Sequence, residues 1–294
     1  SNTADIGDTV NFKTTITAQA GAQNYVLHDK MDAGLTFKGD VQIQWIKKSD
    51  NTTTSLTNGT EYDVTTTDLE STDPKCTFHV TFKPDFCDKL AKDDTIVITY
   101  SATLNENAVI AGAGNKNETW LKYGESNNLE TAHKTTTTKT YEIPVFKYTK
   151  KNGIDKGLPG AIFTLSKSEN GGNPIKLVAT ETANTYRVAK EIEATGITKI
   201  TEVKTPDNGK FTIKGLDEGT YYLTETQQPA GYNKLSDPVK IVIKDGTITI
   251  GESTDTVDEV KVLNNTGSIL PSTGGMGTTL FYIFGAILVI GSGV

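Results

Sequence analysis

Along a β-strand, side chains point alternately to the two faces, so a period of two in apolar residues marks a half-buried strand. The chain carries many such runs. TIVITY (95–100), KIVIK (240–244) and TITIG (247–251) are β-branched and aromatic at every second position or more, which favours extended structure. Glycine, asparagine and aspartate punctuate the runs, as in DNG (207–209) and DG (245–246), and these residues supply turn geometry. No long segment follows the 3.6-residue period of a helix. The pattern predicts an all-β protein built from many short strands.

Three runs break the rule that the apolar face is purely apolar. In EIPVFKYT (142–149), Ile143, Val145 and Lys147 share a face. In TYYLTET (220–226), Tyr221, Leu223 and Glu225 share one. In EVKVLNN (259–265), Val260, Val262 and Asn264 share one, which selects Asn264 over the adjoining Asn265. Each departure alone has an ordinary explanation, since a strand can end early or bury its other face. Together they place a lysine, a glutamate and an asparagine in one core. A buried ionised group loses several kcal/mol of hydration unless it is compensated. Burial drives a lysine pKa down and a carboxylate pKa up. A neutral amine is a nucleophile, and a protonated carboxyl beside a carboxamide can hydrogen-bond it and shuttle protons. Such a trio supports one reaction: an amide between Lys147 and Asn264, with loss of ammonia.

The 294 residues leave room for about two domains at ~100–200 residues each. TAHKTTTTKT (131–140) is polar and repetitive and reads as a linker or exposed edge strand. The expected division is 1–140, 141–266 and a C-terminal segment, 267–294. The strand spacing suits two tandem immunoglobulin-like β-sandwiches, with a barrel as the alternative that hydrophobic pattern does not separate. The net charge of −7, without a Lys/Arg cluster, speaks against a nucleic-acid partner. The two cysteines, Cys76 and Cys87, are read as free and buried in preference to a disulfide. The three histidines, His28, His79 and His133, are scattered and show no metal-ligand spacing. No Ser/His/Asp, Cys/His or paired-carboxylate arrangement indicates an enzyme.

The end of the chain is distinct. Met276 to Val294 has no charged residue, and a helix over it would reach ~28 Å, close to bilayer thickness. Just before it stands LPSTG: Leu270, Pro271, Ser272, Thr273 and Gly274. That order resembles the cell-wall sorting signal of Gram-positive surface proteins. The resemblance implies that sortase, a cysteine transpeptidase, cuts the Thr273–Gly274 bond and passes the Thr273 carbonyl to an amine of peptidoglycan or of a neighbouring subunit. The span would then be a transient membrane anchor. The family's signal ends in Lys/Arg residues; the sequence stops at Val294 without them, so a truncation is expected there.

Two further resemblances follow. IPVFKYTKKNG, LPGAIFTL (158–165) and FTIKGLDEGTYYLTETQQPAGY (211–232) look like the CnaB-type isopeptide domain of Gram-positive pilins and adhesins. By position, the resemblance makes Lys147 the amine donor, Asn264 the acceptor and Glu225 the catalytic acid. IGDTVNFKTTITAQAG (6–21), NYVLHDKMDAGLTF (24–37), ITYSATLNENAVI (98–110) and NKNETWLKYG (115–124) look like the shaft domain of sortase-assembled major pilins, which implies Asp29 as the acid. Asn117, in phase with Thr119, Leu121 and Tyr123, is then the acceptor in preference to Asn115. The family's lysine lies on a strand before the Ile-Gly-Asp segment, so it is expected upstream of this sequence; Lys13 alternates with the apolar positions and should face outward. The whole resembles a backbone pilin: a structural, self-cross-linked, wall-anchored pilus subunit on the cell surface, without enzyme activity or cofactor. An adhesin or ancillary pilin that binds a host ligand is the alternative. The pilin lysine motif that would accept the next subunit is missing from the sequence.

Overall fold

A computed structural model describes residues 2–67 and 76–266. The sorting motif and the apolar span lie outside the described residues. Among the described residues no helix is long and apolar enough to cross a membrane, and the one α-helix is the single turn Pro84–Cys87. The rest is strand and turn. The chain divides into two compact units between Thr140 and Tyr141, and each has two sheets.

In the first unit, one sheet runs in the order Asn2–Thr3, Lys134–Lys139, Asn115–Tyr123, Val26–Met31, Phe78–Phe82, Tyr62–Thr65. The other runs Thr9–Thr17, Thr95–Leu104, Gln42–Ile46, Thr53–Ser55. The alternation of the TIVITY run is kept: Ile96, Ile98 and Tyr100 are buried, and they face Val10, Phe12 and Ile16 from the paired strand. The sheets meet through aromatic rings. Phe37 stacks on Phe78 at 4.2 Å, and Phe78 meets Tyr100 edge-on at 5.0 Å, both favoured aromatic geometries. Of the two expectations for the threonine-rich stretch, linker or exposed edge strand, the structure takes the strand. Its residues Lys134–Lys139 pair antiparallel with Asn115–Tyr123 and parallel with Asn2–Thr3, and Thr138 and Thr140 are buried. Polar β-branched residues satisfy a strand backbone as well as apolar ones do. Lys13 faces outward, as its alternation requires.

In the second unit, the strand Tyr141–Lys151 is central to one sheet. Lys210–Leu216 and Ile154–Gly157 pair along one edge, and Val260–Leu263 pairs along the other. The opposing sheet runs Val203–Lys204, Ile162–Ser166, Gly219–Gln227, Val239–Lys244, Thr247–Ile250, Thr256–Val257. Asn152–Gly153 and Asp245–Gly246 close two hairpins with positive φ at both residues, the backbone that matches strand twist. Tyr221 anchors its strand by donating its hydroxyl to the Asp217 carbonyl at 2.8 Å. The first and last strands, Tyr141–Lys151 and Val260–Leu263, lie side by side and parallel, with Val145 opposite Val260 and Lys147 opposite Val262.

Candidate functional site: two buried polar clusters

Along Tyr141–Lys151 the inward positions are Tyr141, Ile143, Val145, Lys147 and Thr149, all buried. Along Gly219–Gln227 they are Tyr221, Leu223 and Glu225. After Val260 and Val262, Asn264 continues the same face at 2% exposure, while Lys147 and Glu225 are at 0% and 1%. The three polar side chains meet. The Lys147 amine contacts the Asn264 carboxamide oxygen. Its Nζ lies 3.3 Å from Glu225 Oε1, and the Asn264 Nδ2 donates to that same Oε1 at 2.8 Å. The backbone N–H of Leu235 fixes the other carboxylate oxygen, Oε2, at 2.8 Å. The ring of Phe163, 5.8 Å from Nζ, walls the cluster.

Burial pushes the Lys147 amine down to about 8, although the Glu225 carboxyl beside it works the other way. The amine is therefore easier to deprotonate than an ordinary lysine. The local backbone is shaped around it. Lys147 N–H donates to the Gly209 carbonyl at 2.8 Å, and its own carbonyl accepts from Leu158 N–H at 2.9 Å. A Cβ on residue 209 would stand 2.0 Å from the Lys147 oxygen, so the DNG turn needs its glycine for close approach as well as for its φ of +71°.

The first unit holds a second cluster. Leu27 and Asp29 point inward from Val26–Met31, and Asp29 is fully buried. Tyr100 donates its hydroxyl to Asp29 Oδ2 at 2.5 Å. Asn117 Nδ2 donates to the same oxygen at 3.0 Å and to the Tyr100 oxygen at 2.9 Å. Burial raises the Asp29 carboxyl to about 7, against the pull of the hydrogen bonds from Tyr100 and Asn117. Burial and the nearby Asp29 also raise the Tyr100 phenol, so it stays a donor. Asp29 Oδ1 and Asn117 Oδ1 have no hydrogen-bond partner among the described residues. Asn115 is equally buried but serves the backbone: its side chain bonds Val109 and the Thr138 carbonyl.

The resemblance to the pilin shaft domain supplied Asp29 and Asn117, and the alternation rule located Lys147, Glu225 and Asn264. It missed Tyr100, whose only signal was its place at the end of the TIVITY face. It also gave the histidines and Cys76 no common location. In the fold His28, Cys76 and His79 form a cluster whose ligand atoms all lie within 4.8 Å of one another. Neither cysteine forms a disulfide; Cys87 is buried, whereas Cys76 is only partly so.

Each unit is thus a two-sheet β-sandwich with acid and carboxamide side chains in its core, and the second adds an amine. That class is met in known proteins. Residues 144–256 match the SpaA prealbumin-like fold domain, a stretch that includes Lys147 and Glu225 and stops short of Asn264. Over 92% of its length the chain superposes on 98% of the group B streptococcus pilus 2b backbone protein, with 25% identity and a TM-score of 0.63. It covers 70% of the full-length major pilin RrgB from Streptococcus pneumoniae, with 91% of its own length at 18% identity and a TM-score of 0.61. It likewise covers 95% of a C-terminal fragment of the major pilin GBS80 of Streptococcus agalactiae, with 90% of its own length at 19% identity and a TM-score of 0.61. No curated protein matches the chain significantly in sequence. In architecture, the chain is similar to the backbone pilins of Gram-positive bacteria.

Proposed function

We propose that the chain is the structural subunit of a covalently polymerised pilus, and that Lys147 and Asn264 become joined by an intramolecular amide. The observation that carries this reading is the fully buried Lys147–Glu225–Asn264 cluster, set between the first and last strands of one sandwich. The chemistry balances without a cofactor. The Lys147 nitrogen attacks Asn264 Cγ, a C–N bond forms, the Cγ–Nδ2 bond breaks and ammonia leaves. One oxygen of Glu225 reaches both nitrogens, at 3.3 Å and 2.8 Å. It can therefore take a proton from the attacking amine and return one to the departing nitrogen, which is general acid–base work.

Asp29 and Asn117 form the acceptor half of a second such site. Their unbonded, buried oxygens are costly as they stand and suit an incoming amine, with Tyr100 holding the acid in place. Leu270 to Gly274 serve as the sortase motif. The subunit's partners are sortase, neighbouring pilin subunits, peptidoglycan and, through the C-terminal span, the membrane in transit.

Intact mass tests the bond. The chain should weigh about 17 Da less than its sequence for each amide formed, and tryptic peptides carrying Lys147 and Asn264 should remain joined. Glu225→Ala should restore the ammonia mass. A chain of full sequence mass, or a Glu225→Ala variant that still cross-links, would overturn the assignment. Incubation with sortase and an amine nucleophile should give a product ending at Thr273.

A further inference from the structure

The inner face of Val26–Met31 carries Asp29; its outer face carries His28, directly opposite His79 on Phe78–Phe82 and opposite Trp120 on Asn115–Tyr123. His28 and His79 are only 4% and 7% exposed, although they lie on the outer face of their sheet. Their rings are 4.0 Å apart. Trp120 stacks on His28 at 5.2 Å and, with its other face, on His133 at 4.3 Å. All three histidines of the chain, with one of its two cysteines, therefore gather on one patch of one sheet.

Cys76 is held there by its neighbour. Thr77 N–H donates to the Asp29 carbonyl at 2.7 Å, and Thr77 Oγ1 accepts from Met31 N–H at 2.8 Å. This brings Cys76 Sγ to 3.8 Å from His28 Nδ1. Two ligands of a tetrahedral zinc ion, at ~2.1 Å for nitrogen and ~2.3 Å for sulfur, stand about 3.3–3.8 Å apart. The cysteine–histidine separation already meets that spacing, and small side-chain adjustments bring in His79.

We propose that His28, Cys76 and His79 form a binding site for one borderline-soft divalent cation of the zinc type. Two imidazoles and a thiolate select such ions over the hard, oxygen-loving magnesium and calcium. On binding, the thiol releases its proton to solvent, both imidazoles bind as neutral donors, and water takes the fourth position. The stacking of Trp120 on His28 keeps that ring edge-on to the ion. His133 sits beyond Trp120, bonded to Glu118 at 3.0 Å, and is not a ligand. The ion would clip Phe78–Phe82 and the Cys76 segment to the strand that presents Asp29, bracing the acid from behind.

The test uses the full chain, stripped with a chelator, kept reduced and titrated with Co2+ and then Zn2+. One equivalent of Co2+ should produce a thiolate charge-transfer band and tetrahedral visible absorption, and one equivalent of Zn2+ should abolish both. Cys76→Ser should remove the charge-transfer band, and His79→Gln should weaken binding by more than the ~10–100-fold typical of losing an outer partner. Cys87→Ser should retain the band and the affinity. Near-UV circular dichroism of each metal-free variant reports whether its fold is kept. Absence of saturable binding, equal binding by the Cys76→Ser variant, or loss of the band in the Cys87→Ser variant would overturn the proposal and leave the patch as aromatic and thiol packing.

Discussion

Asp29 shows how burial converts one residue into a pH-dependent element of stability. Its folded pKa, about 7, lies above the ~3.9 of an unfolded aspartate. Between those values the folded state keeps a proton that the unfolded chain has released. Stability from this group is therefore complete below about pH 4 and is lost as pH rises to about 7, by roughly 4 kcal/mol at most. Asp29→Asn removes the titration. The variant should match the parent chain near pH 4 and exceed it near pH 8. Both tryptophans, Trp45 and Trp120, belong to the first unit, so denaturant unfolding followed by their fluorescence reads this unit alone. A stability difference between the two chains that does not change with pH would refute the shift. Lys147 is perturbed in the opposite sense, its charge disfavoured by burial, and this prepares it as a nucleophile.

At the scale of elements, the DNG turn is the sensitive joint. Gly209 combines a φ of +71° with backbone packed against Lys147. Gly209→Ala should destabilise the second unit by roughly 2–3 kcal/mol, from the clash and the strained φ together, and should slow the loss of ammonia because Lys147 is displaced. Gly231 supplies the control: its φ is +83°, but nothing lies within 4 Å of a Cβ there. Gly231→Ala should cost about 1 kcal/mol and leave cross-linking unchanged. Thermal unfolding and intact mass, measured on both variants, separate the two effects. Equal behaviour would mean that the close approach at Gly209 is immaterial.

For each molecule, an amide between Lys147 and Asn264 would close a loop spanning 117 residues. By analogy with a disulfide, a loop of that size restricts the unfolded chain by about 4–5 kcal/mol. Unlike a disulfide it survives reducing agents. Because the joined strands are parallel neighbours, the bond lies where pulling on them would otherwise shear the sheet. Glu225→Ala should therefore lower the melting temperature of the second unit by roughly 10–20 °C, with reductant making no difference to either chain. Calorimetry that finds the same melting temperature for both would show that the bond contributes nothing to this fold.

Side-chain alternation, a local property, determined by itself that the chain is β-rich and that Lys147, Glu225 and Asn264 face inward; Asp29 and Asn117 came from the resemblance to the pilin shaft domain, since alternation puts Asn115 on the same face as Asn117. A strand projects its residues with a fixed period whatever it packs against, so those positions were legible. Which faces oppose each other is set by sheet order and register, and neither is encoded locally. That is why the tertiary structure alone decided that Tyr100 joins Asp29 and Asn117, and which strands the threonine-rich stretch pairs with. It also decided that Cys76, 48 residues along the chain from His28, meets His28 and His79 on one sheet.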